Sequence, residues 1–353
     1  TSTTVGLIGG SKKEGDSMLN TIGAIPRQHK RLVVMEEFSG ADPSFVKTMT
    51  DVRTSRRVHI VRISGELDVP CNLRMITISN PIGDERGFPK YLTTFPNGVM
   101  PLMELIQNPE DVGRYDGFFL MPQITDRVNP FHITLKGSPI PKECYEHKAQ
   151  WVYTRRAENI HYEDGVEAYI WEKAEELNND FDSNFPLFGT KASLKIARFS
   201  VALASLILNV DPTFEHIIVT KEIVDYVIEY MHKIYDNGVF KLKSYKEEYD
   251  SYNVCSKEDV SILESLYPKN STVIEYLEKS SSSSLESLRA SSGYDTKEFN
   301  VLYSALTKHR FIRNTGKAII PTPKFRKAVL QINRSYTITT GKIEAKKLTH
   351  KLE

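Results

Sequence analysis

The sequence predicts an α/β layer with a parallel sheet flanked by helices, then a helical-only region, then a small unit of three helices closed by a hairpin. Three observations carry this reading. Apolar β-type runs alternate with helical stretches over the first third of the chain. Helical periodicity alone then continues to residue 235. Beyond it, three short helical patterns precede a turn signal between two β-prone arms.

The β-type runs fall at 31–35, 58–63, 75–79 and 118–121, with helical composition at 42–53 between the first two. The stretches 162–177, 193–208 and 221–235 each space apolar residues three and four apart, which puts them on one helical face. Thr220 followed by Glu222 reads as an N-cap with an acid in the first turn. A charged, aromatic-rich linker is expected at 236–262. Helices at 272–279, 285–291 and 296–310, then Asn314-Thr315-Gly316-Lys317 inside 311–321, suit a winged helix-turn-helix. The serine run 280–284 sits where a helix-to-helix turn belongs. The expected divisions are therefore 1–128 for the α/β layer, 129–235 helical, 236–262 linker, 263–335 winged helix and 336–353 a basic tail.

The chain has 353 residues, long enough for two or three cores, and its 40% hydrophobic content is that of an ordinary globular protein. A net charge of +1 means that any nucleic-acid surface must be local. Cys71, Cys144 and Cys255 lie far apart without metal-ligand spacing and suit a reducing, intracellular compartment. No apolar run reaches membrane-spanning length, so no membrane partner is expected. The absence of an opening methionine and of a signal peptide gives the chain the look of an excised piece of a longer protein.

The sharpest chemical segment is Arg31-Leu32-Val33-Val34-Met35-Glu36-Glu37-Phe38. An apolar strand ending in two adjacent carboxylates meets the requirement of a Walker B element. A strand of this kind buries both faces and delivers its acids to the carboxyl edge of the sheet. There one acid holds Mg²⁺, usually through water, and the next polarises the water that attacks the γ-phosphate of ATP. Taken alone the pair is a weak signal, since a strand ending in a solvated Glu-Glu pair is common. A second apolar strand ends in Asn80-Pro81, and a neutral amide there can position the attacking water without adding charge. Arg114 stands just before the 118–121 run, where its guanidinium can serve a neighbouring subunit as an arginine finger, or simply pair with Asp116 at the surface.

In order and spacing, Gly6 to Phe119 resembles the AAA+ core of the MCM replicative helicases. Gly6-Leu7-Ile8 resembles the start of that family's helix-2 insert, and Met35-Glu36-Glu37-Phe38 its Walker B. His59-Ile60-Val61-Arg62-Ile63-Ser64-Gly65 is similar to the pre-sensor-1 hairpin. Asn72-Leu73-Arg74 with the strand to Asn80 is similar to sensor 1, and Gly113-Arg114-Tyr115-Asp116 to the arginine-finger motif. The match runs more loosely through a sensor-2-like helix (Lys191 to Ala204) and Val219-Thr220-Lys221-Glu222, similar to the start of the last lid helix.

The resemblance implies an AAA+ core, an all-α lid and a C-terminal winged helix-turn-helix domain, assembled into a ring, a hexamer in that family. It implies ATP between subunits, with Mg²⁺ held by Glu36 and hydrolysis served by Glu37 and Asn80. The neighbouring subunit contributes Arg114 and a sensor-2 cation at Lys191 or Arg198. DNA, as a single strand or fork, would meet Lys12 and Lys13 on the helix-2 insert and Arg62 on the second hairpin, since cations on hairpin tips suit sequence-independent phosphate contact. Replication-initiation proteins are further implied partners. Arg313 and Lys317 belong to the winged helix, which can dock DNA or protein.

The sequence also departs from the family pattern. Glu36 stands where the family has Asp, and Lys191 lacks the bidentate fork of an arginine. No G-x-x-x-x-G-K-[ST] occurs, and the resemblance places that loop upstream of Gly6. A remodelling ATPase that is not a helicase, and a non-catalytic replication-initiation or DNA-binding adaptor, remain the alternatives.

Overall fold

The computed structural model describes residues 3–62, 65–84, 90–121 and 141–334. The expected division at 128 and the tail at 336–353 lie outside the described residues. The protein is a mixed α/β molecule that divides into two compact units, Thr1–Tyr245 and Lys246–Glu353.

In the first unit a short helix α1 (Thr4–Leu7) leads into a hairpin, β1 (Gly9–Glu14) and β2 (Ser17–Ile22), closed by Gly15 and Asp16. Gly15 takes φ +61°, a left-handed value that a two-residue hairpin turn favours. The strand β3 (Leu32–Met35) follows. Helix α2 (Pro43–Ser55) starts at Asp42, whose side chain accepts from the Ser44 amide, with Pro43 preset for the first turn. A second hairpin, β4 (Arg57–Arg62) and β5 (Gly65–Pro70), precedes β6 (Arg74–Thr77).

Strand β6 pairs with β3 in parallel, Leu32 opposite Arg74 through Met35 opposite Thr77. Beneath these elements lies a core of Ile8, Ile25, Phe38, Phe45, Met49, Val52, Val58 and Ile60. The expected burial of β3 on both faces is not met. Leu32, Val34, Ile76 and Ile78 form one apolar face that is 47–52% exposed, while Met35 and Met75 pack on the core side. The expected largely parallel sheet is likewise reduced to short parallel pairs beside antiparallel hairpins.

Helices α3 (Val99–Ile106) and α4 (Pro109–Val112) come next, and no strand forms at 118–121. The β-run expected there is spent otherwise. The Phe118 ring lies 5.0 Å from Tyr115 and 6.0 Å from Phe185, and its amide donates to the Tyr235 hydroxyl at 3.2 Å.

The rest of the first unit comprises α5 (Lys142–Thr154), β7 (Ile160–Tyr162), α6 (Val166–Phe181), α7 (Ala192–Ile207), β8 (Ile217–Val219) and α8 (Lys221–Tyr235). This region is not helical only, because β7 and β8 pair in parallel. Thr220 caps α8 by accepting from the Ile223 amide, as its sequence predicts. The helix then buries Ile223, Val224, Val227, Ile228, Met231 and Tyr235 against α6 and α7. Each such side chain contributes roughly 1.5–3 kcal/mol on full burial. The stretch expected as a linker is helical over α9 (Leu242–Asn253), and Leu242 is fully buried.

The second unit opens with α10 (Lys257–Lys279), started by a reciprocal Ser256–Asp259 capping box and interrupted at Asn270, two residues after Pro268. Then come α11 (Leu285–Ser292), α12 (Thr296–Lys308) and the hairpin β9 (Ile312–Asn314) with β10 (Ile319–Pro321), followed by a helical segment at 323–334. Gly293 ends α11 at φ +65°, and Asp295 caps α12 through the Lys297 and Glu298 amides. Ser283 bridges Ile319 on the hairpin. Leu277, Leu288, Leu302, Leu306, Phe311 and Phe325 form the centre of this unit's own core. No helix among the described residues is long and apolar enough to cross a membrane.

Candidate functional site

The parallel pairing of β3 and β6 brings the chain after Met35 beside the chain after Thr77. The Ile78 amide donates to Met35 O at 2.7 Å, and the Phe38 amide donates to Ile78 O at 3.3 Å. The Ser39 amide then donates to Ser79 Oγ at 2.8 Å, and that hydroxyl donates to Asn80 O at 2.9 Å. Glu36, Glu37 and Asn80 thus leave the carboxyl edge of one strand pair, all three exposed. Glu37 sits at φ +55°, a left-handed conformation uncommon for a residue with a side chain.

Arg114 lies elsewhere. It pairs with Asp111, a buried carboxylate that also accepts from Thr50 Oγ1 at 2.7 Å. It therefore does not pair with Asp116, which instead bonds Arg198 at 2.5 Å. A cleft of about 380 Å³ lined by Phe38, Lys47, Thr50, Gln107, Asp111 and Arg114 lies on one side of this arginine. A second cleft, about 370 Å³, is lined by Arg53, Arg56, Arg74, Arg114 and Arg198 with Asp116 as its one carboxylate. Neither lining includes Glu36, Glu37 or Asn80, although the first cleft reaches Phe38 and Ser39, directly after the acids.

Lys191 is exposed at the start of α7, and Arg198 lies two turns along the same helix. Between them the sequence reading missed Lys195, which is 2% exposed and donates to Leu187 O. Burial pushes its ammonium down to about 8, against the partial support of Asp116, and Lys191 and Arg198 push the same way as burial. Arg53 was missed as well. Its guanidinium stacks over Tyr115 at 4.7 Å and donates to Thr50 Oγ1 at 3.2 Å. Neither residue belongs to a recognisable motif.

The two hairpins lie side by side, with the Asn20 side-chain amide donating to Gly65 O at 3.1 Å. Their approach depends on Gly9. A Cβ there would come within 2.5 Å of Thr21 O and 2.7 Å of Ile60 Cδ1. Lys13 is exposed on β1. Lys12 and Arg62 lie on β1 and β4, but their side chains, and residues 63–64, lie outside the described residues.

In the second unit Arg313 and Lys317 are exposed on the hairpin and its turn. Other basic residues of this unit hold the fold. Lys324 pairs with Asp259 at 2.9 Å, Arg326 donates to Ser280 O at 2.8 Å, and Lys327 donates to Asn253 O at 3.0 Å. Burial opposes ionisation of Asp259, but Lys324 and Ser256 outweigh it and hold the carboxyl below its usual range. No group of three or more His, Cys, Asp or Glu able to hold a metal occurs among the described residues. No family model matches the chain, and no curated protein matches it either.

Proposed function

We propose that this chain carries part of the ATP-hydrolysing machinery of a ring-forming, MCM-like AAA+ DNA motor, followed by a lid and a winged helix. One observation carries the reading: the in-register parallel pairing of β3 with β6, which delivers Glu36, Glu37 and Asn80 to one edge. The abutting hairpins β1–β2 and β4–β5 support it, being the two elements expected to meet DNA in the channel.

In this reading Glu36 would hold Mg²⁺. Two exposed carboxylates, with no third His, Cys, Asp or Glu grouped with them among the described residues, fit an ion that keeps several waters and binds substrate phosphates. When bound, the ion offsets the charge of the phosphoryl oxygens. Glu37 accepts a hydrogen bond from the attacking water and takes its proton, while the Asn80 amide holds that water in line. Arg114 serves the nucleotide of the adjacent subunit. Asp111 engages Nη1 and leaves the remaining guanidinium donors for phosphate oxygens, so the pair positions the arginine as well as neutralising it.

A second reading is a non-catalytic DNA-binding adaptor, whose role would need no P-loop. The two are separated by Glu37→Gln in the complete protein. The motor reading expects ATP binding to persist and hydrolysis to fall by at least 10²-fold, because an amide cannot take the proton. Hydrolysis near the unsubstituted rate would remove Glu37 from the mechanism. No hydrolysis in the unsubstituted complete protein would favour the adaptor.

A further inference from the structure

The second unit carries an exposed helix face that the motor reading does not use. Lys297, Asn300, Val301, Ser304 and Lys308 follow one stripe along α12, while Phe299, Leu302 and Leu306 face the core. Val301 is 73% exposed, which core packing does not explain. Helix α12 is the second of two short helices joined through Gly293 and Asp295, and it is followed at once by the β9–β10 hairpin. That arrangement offers one helix and one hairpin for docking to a duplex.

Charge favours nucleic acid over a protein partner. From residue 299 to residue 334 the sequence has eight Lys or Arg and no Asp or Glu. Lys324, Arg326 and Lys327 bond within the unit, and Arg310 donates to the Tyr252 hydroxyl at 2.5 Å. Lys297, Lys308 and Lys317 make no ion pair or side-chain hydrogen bond among the described residues, and Arg313 stands exposed on the hairpin. The two acids of α12 lie at its first turn and its cap, where Asp295 is engaged by backbone amides. A helix roughly 10–12 Å across fits a B-DNA major groove about 12 Å wide.

We infer that the second unit is a sequence-selective reader of double-stranded DNA. Helix α12 enters the major groove, and Arg313 and Lys317 hold the flanking phosphates. Asn300 and Ser304 have the donors and acceptors to bond base edges, and Val301 supplies an apolar contact for a thymine methyl. Lys297, Lys308, Arg313 and Lys317 set affinity without setting sequence. This function does not require ATP, and it is separate from the strand-tracking hairpins of the first unit.

The test uses the whole chain without nucleotide and a pool of random-sequence duplexes carried through rounds of affinity selection. A common sequence is expected to enrich. Asn300→Ala should cut the preference for that sequence over random duplex by about tenfold while leaving the salt dependence in place. Lys317→Ala should weaken both targets alike and lower the log–log salt slope by about 1. Both positions are exposed, and circular dichroism checks that the variants fold. The inference is overturned if no sequence enriches, if Asn300→Ala keeps the full preference, or if Lys317→Ala binds duplex as the unsubstituted chain does. The last result is also expected where the face docks protein, or where the first unit supplies all DNA contact. ATPase activity enters none of these readouts, so the motor reading stands or falls separately.

Discussion

Asp111 shows how a residue without a motif controls one with a motif. Its carboxylate is buried and divided between Thr50 and Arg114, so it fixes where the guanidinium points. Removing one partner of a buried pair leaves the other charge uncompensated, at about 3–5 kcal/mol. Arg114 is 25% exposed, so water recovers part of that, and Asp111→Ala should destabilise the first unit by on the order of 2 kcal/mol. Arg114→Ala should cost more, because the charge it leaves uncompensated, on Asp111, is only 6% exposed and keeps only its Thr50 bond. Equal losses in denaturant titration would contradict this ordering. Lys195 gives a pH signature in the same unit. Its value of about 8 lies below the ordinary 10.5, so a charged ammonium is carried at a cost below pH 8. That cost relaxes as pH rises from about 8 toward 10.5, and the folded state gains stability over this window. Comparing melts at the two ends of the window, Lys195→Met should show a smaller gain than the unsubstituted chain. An identical gain would show that other groups produce it.

Elements whose signals are local were legible in the sequence. Thr220 caps α8 and Gly316 turns a hairpin, because each depends on the backbone within a few residues. The strand ending at Glu36-Glu37 was legible for its apolar run, but its exposed face was not, since cover depends on what packs there. The 118–121 run misled because Phe118 and Phe119 carry β propensity, whereas Phe118 is held by the nearby Tyr115 and by Phe185 and Tyr235, distant in sequence. The expected linker misled because α9 is rich in Lys, Glu and Tyr and buries only Leu242 fully. Of the candidate site, the acids and Asn80 were legible as strand ends, while the Arg114–Asp111 and Arg198–Asp116 pairs needed the fold. The contact between hairpins gives an element-scale test. Gly9 has φ +133° with Thr21 O and Ile60 Cδ1 in the place of a side chain, so Gly9→Ala should cost about 1–3 kcal/mol. Faster hydrogen exchange should appear in both β1–β2 and β4–β5. Exchange confined to one hairpin would mean that they do not depend on each other.

At the scale of the molecule, the two units have separate cores and should melt as separate transitions. Leu277 is fully buried in the second core, and Leu277→Ala should cost about 2–5 kcal/mol and shift one calorimetric transition only. A shift of both would show a single cooperative unit. The larger claim is that Glu37 and Arg114 are two halves of one site completed by a second subunit. The direct measurement mixes Arg114→Ala and Glu37→Gln subunits of the complete protein and follows ATP hydrolysis. Arginine fingers contribute about 10³–10⁵ in rate, so each parent ring should be nearly inactive and the background low. Mixed rings contain some interfaces where an intact Glu37 faces an intact Arg114, and these should recover a measurable part of the rate. Mixed rings that form yet recover no activity would contradict the shared site.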